Sequence, residues 1–87
     1  MKNKVLVKVI VPEVDNTFDV YIPVNEIVWK LKKLISKCVS DLTGSNLDFS
    51  KEYVFINPKT NKIYGENEVI INTDIRNATE LIMISKH

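Results

Sequence analysis

An α+β fold, with one amphipathic helix laid across a mixed sheet of four to five strands, is predicted by three features of this chain. About residues 25–42 form the only stretch with a sustained helical period. Two alternating, β-branched runs precede it at 4–11 and 17–22, and another follows at 79–85. The 87 residues are 45% apolar with a single cysteine, so packing alone, without a disulfide or Cys/His metal cluster, has to hold what is expected to be one domain over 1–87.

The first run, KVLVKVIV, places Val5, Val7, Val9 and Val11 on one face and Lys4, Leu6, Lys8 and Ile10 on the other. Pro12 ends it by withholding a ladder N–H, and Asp15 and Asn16 in the turn beyond tolerate the left-handed region. In the second run, TFDVYI, the residues Phe18, Val20 and Ile22 share a face. A short polar link makes the two an antiparallel hairpin with Val5, Val7, Val9, Phe18, Val20 and Ile22 inside.

In the helix, Ile27, Val28, Leu31, Leu34, Ile35, Cys38, Val39 and Leu42 cover about 140° of the circumference and are expected to be core. Cys38 lies within that stripe and is expected to be buried and inert, since reactive thiolates need exposure and a cationic setting. Asn25 reads as the N-cap, with Glu26 in the first turn, and Gly44 as the left-handed residue past the end. Trp29 falls on the polar side. With Asn25 as cap, Val24 and Trp29 take the two positions of a hydrophobic staple, so the indole has local packing and partner contact as its two readings.

Leu47 and Phe49, in the polar connection that follows, are expected to pin over one end of the core. YVFIN at 53–57 reads as a central strand, residues 62–64 as a short one, and 66–77 as turns with one helical turn at most. In TELIMIS, Leu81 and Met83 share one face and Ile82 and Ile84 the other. The last strand is expected beside the first, in the middle of the sheet. Together these elements make the β-grasp, or ubiquitin-like, arrangement.

Three stretches also resemble the YukD/EsaB-like ubiquitin-like proteins of bacterial type VII secretion systems: VKVIVP with FDVYIPV, the LxxLI pattern at 31–35, and TDIRNATELIMI. The resemblance covers nearly the whole chain. It implies a small cytoplasmic accessory or regulatory protein that acts through contacts with the secretion machinery. One departure is Asn77 and Ala78 where that family usually has Asn-Gly. A left-handed Ala78 would cost about 1 kcal/mol or more, which points to Asn77 as the left-handed residue or to a different turn. The other departure, from ubiquitin itself, is the sequence Ile84, Ser85, Lys86, His87 in place of a terminal Gly-Gly. A role as conjugated modifier or sulfur carrier is therefore expected only with an additional glycine tail.

A net charge of +1 gives no general attraction to nucleic acid or anionic lipid. Apolar runs are too short for a membrane span and the N-terminus lacks a signal-peptide core, so a cytoplasmic protein without direct membrane insertion is expected. Catalysis and cofactors are not expected. His87 is the only histidine, Cys38 lies in the stripe, and Asp15, Asp19, Glu66 and Glu68 are scattered over turns and strands. Glu66 and Glu68 near Asp74 read as a solvated acidic turn rather than a metal site, and a β-grasp ferredoxin needs four cysteine ligands.

The partner surface is placed on the outer sheet face: Leu6, Ile10, Phe55, Ile82 and Ile84, with Ile56 replacing Phe55 if the third strand has the other register. The competing readings are a homodimer through that face and cover by the chain's own loops. A secondary surface of Trp29, Lys30 and Lys33 suits an acidic protein partner better than nucleic acid, since helix lysines are usually solvated. Beyond the secretion reading, a generic β-grasp adaptor is the alternative.

Overall fold

A computed structural model describes residues 3–44 and 52–86 of the chain. Strands β1 (Lys4–Val11) and β2 (Asn16–Pro23) pair antiparallel over their whole length, with Lys4 opposite Pro23 and Val11 opposite Asn16. Pro12 opens the 3-10 turn between them, and Asp15 at φ 51° supplies the left-handed residue. Helix α1 (Val28–Thr43) follows, ended by Gly44 at φ 68°. Then come β3 (Glu52–Asn57), β4 (Lys62–Ile63), one 3-10 turn at Ile70–Asn72, and β5 (Glu80–Lys86). The strand order is β2-β1-β5-β3-β4, with β5 parallel to β1 and antiparallel to β3.

Alternation decides what this sheet buries. Val5, Val7, Val9, Val11 and Ile22 of the hairpin, Tyr53 and Phe55 of β3, and Leu81 and Met83 of β5 are buried in one core cluster with Val28, Leu31, Ile35 and Val39 of α1. Phe18 and Val20 pack partly buried against it. Tyr64, Ile70 and Ile75 complete the cluster from the connections. The buried polar groups are paired: the Tyr64 hydroxyl donates to Asp74 Oδ1 at 2.6 Å and accepts from Asn57 Nδ2 at 3.4 Å.

Four sequence expectations are corrected here. The helix starts at Val28, and its N-cap is Ile27, which makes no side-chain cap hydrogen bond. Asn25 is not the cap because backbone carbonyls from a distant segment take over the task. Val28 N–H donates to the Glu68 carbonyl at 2.9 Å and Trp29 N–H to the Glu66 carbonyl at 3.2 Å. The same segment continues the pairing: Ile27 bridges Val69, Ile70 N–H donates to the Glu26 carbonyl, and Ile71 N–H to the Val24 carbonyl. Trp29 is consequently the second helical residue, too early for a staple with Val24.

The buried stripe is narrower than the apolar one. Val28, Leu31, Ile35 and Val39 are core, Ile27 is half-buried, and Leu34, Leu42 and Cys38 are exposed. Ser36 is buried instead. On a helical wheel this rolls the buried face by about 60° away from the centre of the apolar stripe. Lys32 holds the rolled-in flank down, its Nζ donating to the Tyr53 carbonyl at 2.7 Å and to Glu66 Oε1 at 2.9 Å.

Phe55 is fully buried, so it does not belong to the outer face. Pairing fixes that register: Phe55 lies opposite core residue Met83, and Ile56 opposite Ile82. Finally, Ala78, not Asn77, is the left-handed residue, at φ 71°. Asn77 serves the turn differently, its Oδ1 accepting the Leu6 N–H at 2.8 Å. Leu47 and Phe49 lie outside the described residues.

Candidate functional site

The outer face of the sheet follows from the same alternation. Residues directly opposite in paired strands share a face, so the registers Ile10–Ile82, Ile82–Ile56 and Ile56–Ile63 align one row of four isoleucines across β1, β5, β3 and β4. Ile84 opposite Val54 forms a second row, and Leu6 opposite Tyr21 a third. Leu6, Ile10, Val54, Ile56, Ile82 and Ile84 are half-buried, while Ile63 is 59% and Tyr21 67% exposed.

Four of the five residues expected on this face are therefore brought to it: Leu6, Ile10, Ile82 and Ile84. Phe55 is replaced by its neighbours Val54 and Ile56. Sequence reasoning had Ile56 as the other register but missed Val54, Ile63 and Tyr21. Tyr21 was readable from the alternation of TFDVYI. Ile63 was not, since a two-residue strand carries no period.

A charged row divides this face: Lys8 of β1 stands between Asp19 of β2 and Glu80 of β5 in the registers, and this row separates the Leu6–Tyr21 row from the isoleucine row. Beside it a groove of about 690 Å³ opens, lined by Leu6, Lys8, Tyr21, Asn77 and Glu80 among others. The turn at Asn77 and Ala78 forms part of its wall and is bonded to β1, since Ala78 N–H donates to the Leu6 carbonyl at 2.8 Å. Apolar rows with a mixed-charge row between them offer both the apolar contact and the polar pairing of a protein-binding surface.

Trp29, Lys30 and Lys33 lie apart from this face, on α1. Both ammonium groups sit over the indole, at 5.5 and 5.4 Å from its centroid. The acidic groups of the 65–74 segment are committed to structure. Glu66 pairs with Lys32, a Glu68 carboxylate oxygen accepts the Gly65 N–H, and Asp74 accepts from Tyr64. Among the described residues no three His, Cys, Asp or Glu side chains gather to hold a metal ion. No helix among them is long and apolar enough to cross a membrane.

By sequence the chain matches no protein family and no curated protein. By structure it is similar to the ubiquitin-like domain of EccD5 from Mycobacterium xenopi, with a TM-score of 0.72, 10% identity, and coverage of 97% of this chain and 96% of that one. The fold is the ubiquitin-like β-grasp. A chain of the MycP5-free ESX-5 inner membrane complex is similar at TM-score 0.70 and 15% identity, over 95% of this chain and 21% of that one. A chain of the toluene 4-monooxygenase HD complex is similar at TM-score 0.78 and 5% identity, over 97% of this chain and 100% of that one. At such identities the likeness is one of fold, and this fold carries several functions.

Proposed function

We propose that this chain is a non-catalytic ubiquitin-like interaction module whose outer sheet face seats a protein partner. The observation that carries this reading is the row Ile10, Ile82, Ile56 and Ile63, which lays apolar side chains side by side across four strands, three of them half-buried and Ile63 59% exposed. The resemblance in VKVIVP, FDVYIPV and TDIRNATELIMI favours a partner in a bacterial type VII secretion machine. The β-grasp domains of EccD5 and of the ESX-5 inner membrane complex support that direction by fold. In this reading the protein is a cytoplasmic accessory or regulatory component of the YukD/EsaB-like kind.

The test is Leu6→Asp combined with Ile82→Asp. Both side chains leave the core untouched, so the circular dichroism spectrum should stay that of the parent. In cells, cross-linking followed by mass spectrometry should recover secretion-machine components with the parent chain and lose them with the double variant. Equal recovery from both would sink the proposal. Loss of self-association alone, seen by sedimentation, would identify a homodimer face instead.

A further inference from the structure

Alongside α1 runs a second groove, of about 780 Å³, in the size range of sites that enclose a few side chains. It lies between one flank of the helix and the start of β3, lined by Trp29, Lys33, Ser36, Lys37 and Tyr53 among others. The roll of the helix creates it. Ser36, only 3% exposed, is a small side chain brought down where a larger one would fill the space, and Trp29 remains 38% exposed beside it with no capping or stapling duty. The charges around it are unequal in their commitments. Lys32 is occupied by Tyr53 and Glu66, whereas Lys33 and Lys37, both exposed, form no ion pair among the described residues.

We propose that this groove is a second docking site, for an acidic peptide segment of a partner protein that inserts an apolar side chain between Asp or Glu residues. The apolar insert packs against Trp29 and Tyr53 over Ser36. Its flanking carboxylates meet Lys33 and Lys37, with Lys30 close by on the indole. Charge complementarity selects this occupant: a chain whose net charge is only +1 places Lys33 and Lys37, which form no ion pair among the described residues, at one opening beside Trp29, with Lys30 on the indole next to them. A single-stranded nucleic acid is the competing occupant, which would use the same lysines for its phosphates and Trp29 for a base, and an oligouridylate tests it.

Trp29 is the single tryptophan, so its fluorescence reports this site in the full chain. The probe is an acetylated peptide with a central Leu-Phe pair flanked on both sides by Glu. Controls are the same peptide with Ala-Ala at the centre, the same with Lys flanks, and an oligouridylate. Saturable change in Trp29 emission is expected with the Glu-flanked Leu-Phe peptide alone. Affinity should fall about tenfold in Lys33→Glu/Lys37→Glu and fall with added salt. It should persist in Leu6→Asp/Ile82→Asp, which separates this site from the outer sheet face. No saturable change, an equal response to the Ala-Ala or Lys-flanked peptide, unchanged affinity in the lysine variant, or tighter binding of the oligouridylate would each overturn the proposal.

Discussion

Replacing Ala78 with glycine should stabilise the protein, and the size of the gain follows from the turn it occupies. Ala78 sits at φ 71°, a region that costs a residue with a Cβ about 1–2 kcal/mol. The turn cannot relax out of it without loss to a central strand, because the Ala78 N–H donates to the Leu6 carbonyl and Asn77 Oδ1 accepts the Leu6 N–H, both at 2.8 Å. Glycine removes the strain but returns about 0.5–1 kcal/mol through its freer unfolded chain. The expected net gain is about 0.5–1 kcal/mol. For a domain of this length that raises Tm by about 2–8 °C. Thermal unfolding followed by circular dichroism measures it, and urea titration should show a higher midpoint at unchanged slope. Ala78→Val, which adds a branched Cβ in the same conformation, should lower Tm. An Ala78→Gly variant with an unchanged or lower Tm would refute the assignment of strain to this residue.

Tyr64 should make stability fall in alkali: burial pushes its hydroxyl up to about 12, helped by its hydrogen bond to Asp74. The fold thus favours the neutral form, so this contribution is complete below pH 10 and is lost as pH rises from 10 towards 12, amounting to about 2 kcal/mol at most. Urea midpoints measured over that range should fall more steeply for the parent than for Tyr64→Phe, and parallel slopes would contradict the reasoning. Cys38, exposed on α1, should react with a thiol reagent in the native protein at the rate of an accessible thiol, and Cys38→Ser should change stability by less than about 0.5 kcal/mol. A requirement for denaturant before labelling would place the thiol in the core after all.

How far the sequence discloses this structure depends on whether a decision is local. The limits of β1 coincide with its expected range because both signals, valine alternation and the Pro12 stop, lie within the strand. The start of α1 is not local: the acceptors for its first N–H groups come from residues 66 and 68, and no pattern around Asn25 records them. The register of β3 is hidden for another reason. YVFIN is apolar on both faces, so only pairing with β5 distinguishes core Phe55 from outward Ile56. The roll of α1 was invisible because the apolar stripe is wider than the face the sheet covers. Leu34, Cys38 and Leu42 fit the period and are exposed, while Ser36, which breaks it, is buried. Of the outer face, what was read correctly came from β1 and β5, while Tyr21 of β2 was equally legible from its alternation.

The way α1 begins also bears on the order in which the molecule can assemble. Its first turn receives its hydrogen-bond acceptors from the Glu66 and Glu68 carbonyls, and the chain leading into it zips against Val69, Ile70 and Ile71. On a ribosome, hairpin and helix emerge long before those residues do. A fragment ending ahead of residue 66 would leave the N–H groups of Val28 and Trp29 to water and the helix to fray from that end. Native structure in the first half of the chain then waits on the second half. Folding is expected to proceed as one concerted, non-local event rather than by docking a preformed hairpin-and-helix unit.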